Sequence, residues 1–280
     1  MVADNTKVPL RRDDELGAIQ AKYGIPDSLI DKYLIEDVAQ QHVADVLMAL
    51  CREHGIQVGA GLVVGALRGG LSSILGLSGA VVDSLEPYAP YSEVIAWKYG
   101  RHGLQGRVMR STVEEASLPA AHYDFAAMID VIEHIESPVA ALGKIRAALK
   151  EGGALYLTVP NRLQLVDPHY KLPFICWMPL RISDHLLKLL GRLNEDGPAG
   201  RQRLSTMHYY TYWGFRALAA KNGYAVADVR KLQIERPEAF VFQGDRFAHI
   251  IRSFRNAGLG WLLVLLSRAF LGHRLLLVKI

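Results

Sequence analysis

The chain has 280 residues, half of them hydrophobic, with 32 Lys and Arg against 28 Asp and Glu and a formal net charge of +4. That length and apolar content suffice for a full α/β core in one domain with insertions. So small a basic excess, with no Lys/Arg-rich block and no aromatic RNA-binding run, argues against a nucleic-acid substrate, and the two cysteines, Cys51 and Cys176, fit reduced, buried thiols of a cytoplasmic protein.

The opening residues are polar and charged and lack the apolar core of a secretion signal. Asp27 is expected to cap a helix over Ser28–His54, with Tyr33, Leu34, Val38, Val43, Val46 and Leu47 facing inward. Leu62–Val64 reads as a short apolar strand, followed by the glycine-rich turn Gly65-Ala66-Leu67-Arg68-Gly69-Gly70 and a helical stretch to Leu77. A second strand, Val81–Leu85, follows Gly79-Ala80 and closes in Glu86-Pro87. Gly59-Ala60-Gly61 is an alternative glycine turn, but it leaves almost no strand before it. Arg107–Arg110 should form a third strand ahead of Ser111-Thr112-Val113-Glu114-Glu115, where Thr112 and Glu115 also make a helix-capping pattern.

Residues 124–162 carry the densest information. The apolar run 125–132 suits a buried parallel strand, and Ser137–Lys150 places Val139, Leu142, Ile145 and Leu149 at helical spacing. Gly152-Gly153 is read as the stop of that helix and Ala154–Val159 as the next buried strand. Strand, helix and strand in about forty residues make a βαβ unit. Asp130, Glu133, His134 and Asn161 then fall at or just past the carboxyl ends of parallel strands, where open α/β sheets bind ligands.

Beyond Arg162 the run Asp167-Pro168-His169-Tyr170-Lys171-Leu172-Pro173-Phe174-Ile175-Cys176-Trp177-Met178-Pro179 and a helix at Leu180–Leu190 predict a structured lid over 163–205. Such a lid suits three uses: lining an apolar acceptor pocket, a dimer contact, or a patch that takes a lipid-like substrate from a membrane. Glu195–Arg203 is the expected mobile loop. Met207-His208-Tyr209-Tyr210-Thr211-Tyr212-Trp213 leads into a helix ending near Asn222. The charge-free Asn256–Ser267 has only about twelve residues, short of the roughly twenty a membrane span needs. The helix around Trp261 reads as core, dimer face or interfacial membrane contact, and Arg274–Ile280 as the last strand. The chain thus divides into N-terminal helices (1–55), a core (56–162), the lid (163–205) and the remainder of the core (206–280).

The 124–162 block resembles the class I S-adenosylmethionine (SAM) dependent methyltransferases, which show an Asp before the fourth strand, an acidic-x-x-Glu-His signature after it, Leu-Lys-x-Gly-Gly before the fifth and Pro-Asn behind that. The resemblance extends more weakly over residues 40–235. It implies an α/β fold: a doubly wound, seven-stranded, mostly parallel, Rossmann-like sheet with helical lid insertions. It also implies a SAM site formed by Gly65, Ala66, Leu67 and Gly69, by Glu86 and Pro87 at the ribose, by Thr112 and Val113 at the adenine, and by Asp130 and Val131. Leu67 stands where the family has its middle glycine, and Val63 where it has an acid. A leucine there should resist a positive φ, which keeps open a non-catalytic binding or scaffold protein with an altered glycine loop.

The sulfonium already activates the methyl group, so a protein of this family mainly aligns the acceptor and excludes water. An oxygen acceptor also calls for a base. Among His134, His169, His185 and His208, the resemblance favours His134 and His208. Asp130, Glu133, His134 and His208 also resemble the divalent-metal set of ubiquinone-pathway O-methyltransferases and small-RNA 2′-O-methyltransferases, although Glu-His follows this strand in members with no known metal. The expectation is SAM-dependent methylation, foremost at oxygen, of a small and largely apolar acceptor, with a homodimer and peripheral membrane contact as open partner readings.

Overall fold

The computed structural model describes residues 11–193, 203–242 and 247–280, with only the backbone of residues 31–39. Its elements run α1 (Asp14–Tyr23), α2 (Asp27–Glu53), β1 (Ala60–Val64), α3 (Gly70–Leu77), β2 (Val81–Leu85), α4 (Ala89–His102), β3 (Val108–Met109), β4 (Tyr123–Met128), α5 (Pro138–Ala148) and β5 (Leu149–Val159). They continue through α6 (Leu180–Leu189), α7 (Tyr212–Lys221), β6 (Tyr224–Asp228), α8 (Val229–Glu235), α9 (Pro237–Phe240), α10 (Ala248–Asn256), α11 (Gly260–Phe270) and β7 (His273–Lys279). The seven strands form one sheet in the order β3-β2-β1-β4-β5-β7-β6. β1, β2 and β3 pair in parallel, and β6 pairs antiparallel with β7. This is the expected Rossmann-like sheet, reversing strand order at β1 and β4.

Two compact units divide the chain. The first comprises the chain up to Ala127 with Ala147–Ala154. Here Leu62, Val63, Val64, Val82 and Leu85 are buried, as parallel strands covered on both faces require. One buried charge interrupts them: Asp83 accepts from Arg107 Nη2 at 2.6 Å, Arg107 N at 2.7 Å and the Tyr123 hydroxyl at 2.8 Å. These bonds hold its carboxyl below the usual range although burial pulls the other way. Asp13 caps α1, and Leu16, Ile19, Ile25 and Ile30 pack with Val94 and Trp97 of α4.

Two local expectations fail in this unit. Pro26, in extended backbone with no side-chain capping bond, occupies the N-cap of α2, and Asp27 is its first helical residue. The Asp27 carboxylate instead accepts from Arg12 and Gln20, each at 2.7 Å. Gly152-Gly153 does not stop α5, which ends at Ala148; both glycines lie inside β5. A Cβ at Gly153 would sit 2.9 Å from the Asp124 carbonyl oxygen, so the glycine permits a close backbone approach. Along α2, Val46 and Leu47 are buried and Val43 half-buried, while Tyr33, Leu34 and Val38 fall outside the described side chains.

The second unit comprises Met128–Arg146, Leu155–Val241 and the C-terminal segment to Ile280. Leu275, Leu276 and Leu277 of β7 are fully buried. Asn161, also fully buried, explains the Pro-Asn pair behind β5: its Nδ2 lies 2.9–3.1 Å from the carbonyls of Arg268, Ala269 and Leu271, and its Oδ1 accepts from Leu163 N. A single amide thus pins the end of β5 to the turn before β7. The segment 163–205, expected to form a lid, has a small core of Tyr170, Ile175, Cys176, Leu187 and Leu204, which Met207 joins. Apart from Arg203, the expected mobile loop Glu195–Arg203 lies outside the described residues.

Candidate active site

At the carboxyl end of β1 the chain turns through Gly65 (φ 65°), buried Ala66, Leu67 (φ 49°) and Gly69 (φ 79°) into α3. Ala66 N donates to Leu85 O at 3.0 Å, which ties the turn to the end of β2. Leu67 does adopt the left-handed conformation that its side chain was expected to resist, and that side chain is 46% exposed. What holds it there is Glu86, whose Oε2 accepts from Leu67 N at 2.8 Å and whose Oε1 accepts from Tyr88 N at 3.0 Å. A left-handed leucine costs about 1–2 kcal/mol, and a hydrogen bond to a buried carboxylate contributes about the same.

Glu86 is 4% exposed, and burial pushes its carboxyl above the usual range despite the two amides. Each of its oxygens retains a second lone pair. Pro87 beside it is exposed. Past β3, Val113 is buried, and Thr112 is engaged in a local cap: Glu115 N donates to its Oγ1 at 3.3 Å, and its hydroxyl donates to Glu115 Oε2 at 3.2 Å.

In the second unit, Asp130 sits past β4 with φ 54°. Its amide donates to Thr158 Oγ1 at 2.7 Å and its Oδ1 accepts the same hydroxyl at 2.7 Å. Val131 is half-buried, and a single 3₁₀ turn then carries Ile132, Glu133 and His134. Glu133 is buried, its carbonyl accepting from His208 N at 3.0 Å, while His134 is exposed. His169, from the lid, places Nε2 3.6 Å from Glu133 Oε1 and packs edge-on to His134 with centroids 5.3 Å apart. The ligand atoms of Glu133, His134 and His169 all lie within 4.8 Å of one another.

Asp167 orients His169. It is buried, its Oδ1 accepting from His169 N and Tyr170 N at 3.0 and 2.6 Å, its Oδ2 from the Tyr209 hydroxyl at 2.6 Å and the Cys176 thiol at 3.2 Å. Burial, reinforced by Asp167, drives the Tyr209 phenol far above its ordinary value, so it remains a donor.

A methyltransferase-domain family model matches residues 40–229 of the chain, over two thirds of its length. The chain belongs to the class I SAM-dependent methyltransferase family. It is 24% identical over 200 residues to an uncharacterized protein of Mycobacterium tuberculosis (strain H37Rv), covering 68% of this chain and 60% of that protein. It is 29% identical over 141 residues to a ubiquinone biosynthesis O-methyltransferase of Histophilus somni, covering 48% and 55%. The chain therefore spans less than two thirds of the length of these relatives. Among solved structures, a Galdieria sulphuraria protein provisionally assigned as a sarcosine dimethylglycine methyltransferase superposes with a TM-score of 0.50 at 16% identity, over 84% of this chain and 82% of that one, which supports the fold.

Of the positions that the resemblance singles out, Gly65, Ala66, Leu67, Gly69, Glu86, Pro87, Thr112 and Val113 lie in the first unit, and Asp130 and Val131 in the second. Of the four residues in the metal reading that the resemblance left open, Asp130, Glu133, His134 and His208, the structure groups only Glu133 and His134, together with His169. Asp130 turns to Thr158, and His208, whose ring stacks on Tyr210 at 6.4 Å, is not in the group that Glu133 and His134 form with His169. His185 is exposed on α6. The sequence places His169 among the candidate histidines, within the expected lid, and does not by itself single out Asp167 or Tyr209. The signal available was the Asp167-Pro168-His169 turn itself, a short acid-to-backbone motif that fixes a histidine's direction.

Proposed function

We propose that the chain transfers a methyl group from SAM to an oxygen of a small, largely apolar acceptor. The observation that carries this reading is buried Glu86, placed directly after β2 and holding the glycine-turn amide at Leu67. A carboxylate so placed can take both ribose hydroxyls on its remaining lone pairs, as in dinucleotide folds. In the first unit Gly65, Ala66, Leu67, Gly69 and Pro87 would hold the rest of the cofactor, with Thr112 and Val113 on its adenine side; Asp130 and Val131 are further candidates for cofactor contact.

The reaction moves the methyl from sulfur to the acceptor oxygen, leaving the demethylated cofactor, while the hydroxyl proton passes to a base. His134, exposed past β4, and His208, half-buried before α7, are the candidate bases. An apolar acceptor is supported by the lid, where Val166, Phe174, Trp177 and Ile182 are more than two fifths exposed. The same surface supports two alternatives, a homodimer face and peripheral contact with a membrane that supplies a lipid-like acceptor. No helix among the described residues is long and apolar enough to cross a membrane.

A non-catalytic binding protein is the competing reading, prompted by Leu67. Its left-handed φ weakens that case, because the turn keeps the course a glycine would give it. Incubation with methyl-labelled SAM and a panel of phenols and hydroxylated lipids tests the proposal. Label should enter an oxygen of at least one acceptor and fall with His134→Ala or His208→Ala; SAM binding without transfer to any member would favour the competitor.

A further inference from the structure

We infer that Glu133, His134 and His169 bind a divalent transition-metal ion. Two buried atoms carry the argument: among the described residues neither Glu133 Oε2 nor His169 Nε2 has a hydrogen-bond partner. Buried polar atoms are nearly always satisfied, and an unsatisfied carboxylate oxygen is among the costliest to leave so. Both belong to side chains that already face each other.

The spacing points to a shared ion rather than a direct bond. Glu133 Oε1 and His169 Nε2 are 3.6 Å apart, inside ion-pair range but beyond hydrogen-bond reach. Two ligands each about 2.1 Å from one metal ion are separated by about that distance. A protonated imidazole bound directly to the carboxylate would close the gap to a charge-assisted hydrogen bond of about 2.8 Å. His134 supplies a third nitrogen within 4.8 Å of both partners.

The surroundings position two of these ligands. Asp167 fixes the turn that presents His169 and is itself occupied by two amides, a hydroxyl and a thiol. The amide of His208 braces the main chain at Glu133. Two imidazoles and one carboxylate favour zinc, manganese, iron or cobalt over magnesium or calcium, which prefer all-oxygen sites. Three protein ligands leave room for an added oxygen, whose proton the ion would acidify. That last role rests on the methyl-transfer reading; the site itself does not.

The test uses the full chain, stripped with chelator and titrated with Zn²⁺ by calorimetry and with Co²⁺ by visible absorption, without SAM or acceptor. One ion should bind with a dissociation constant below about 100 μM, and Co²⁺ should show ligand-field bands of a nitrogen-containing site. His169→Gln and Glu133→Gln should each weaken binding by about tenfold or more and alter the bands, while Asp130→Asn and His208→Gln leave both intact. Circular dichroism selects the folded variants, and either of the first two suffices. Absence of saturable binding, or binding that tracks Asp130 or His208 instead of His169, overturns the assignment. Loss of metal binding with SAM binding retained would fault the site alone.

Discussion

The backbone amide of Leu67 donates to Glu86 Oε2 at 2.8 Å, so the turn after β1 and the end of β2 are fastened by one buried carboxylate. The bond links the chain's main departure from its family to the residue most expected to hold cofactor. It also explains why a leucine can occupy a glycine's place: the backbone is fixed by its partner, and the side chain points into space that is 46% exposed.

Substitutions at Leu67 should separate backbone from side chain. Leu67→Gly removes about 1–2 kcal/mol of left-handed strain but adds about 0.5–1 kcal/mol of unfolded-chain entropy, so stability should shift by less than about 1 kcal/mol and SAM affinity should persist. Leu67→Ile, β-branched at positive φ, should cost about 1–2 kcal/mol and weaken SAM. Urea unfolding and calorimetry on the pair check this; equal behaviour of the two variants contradicts it.

His273 should make stability depend on pH. It is buried on β7 against the Tyr210 carbonyl, and burial lowers its pKa from 6.5 to about 4. As pH falls below 6.5 the unfolded imidazole takes its proton first, so the folded state loses up to about 3 kcal/mol before the loss levels off near pH 4. Between pH 7.5 and 4.5, His273→Gln should lose about 2–3 kcal/mol less stability than the parent. Parallel pH profiles in urea would contradict the assignment.

Neither cysteine should react in the folded protein. Burial, with a smaller push from Asp124 at Cys51 and Asp167 at Cys176, raises both thiols to about 12. Iodoacetamide at pH 8 should label both after denaturation and neither before. Rapid native labelling of Cys176 would show that the lid core opens.

Asn161→Ala should destabilise by about 2–4 kcal/mol, since it strips hydrogen bonds from three carbonyls around residues 268–271 and one amide in a fully buried setting. Thermal unfolding measures the loss. A change under about 0.5 kcal/mol, typical of an exposed site, would contradict the stapling role.

Apolar runs such as 125–128 and 275–277 sufficed for most of the strands, because buried strands leave such runs uninterrupted, but β6 was not legible in them, and the seven-stranded architecture followed only from the family resemblance. Local pattern misled where chemistry was borrowed from neighbours. Gly152-Gly153 has the composition of a helix stop, yet both lie within β5, where Gly153 packs against the Asp124 backbone and Gly152 takes a φ of 72°. Asp27 has the chemistry of a cap, yet Pro26 takes the position. At the site, Glu133 and His134 stood out because they are adjacent and follow a strand. His169 did not, since it reaches them from thirty-odd residues downstream through a lid whose path depends on Asp167, Tyr209 and Cys176 together.

Calorimetric titration of SAM and its demethylated product into the parent chain and Glu86→Ala tests the central claim most directly. Saturable binding to the parent, weakened by about tenfold or more in Glu86→Ala through loss of ribose hydrogen bonds, is the predicted result. No binding of either ligand to the folded parent at about 1 mM, where the free energy is only about 4 kcal/mol, would contradict it.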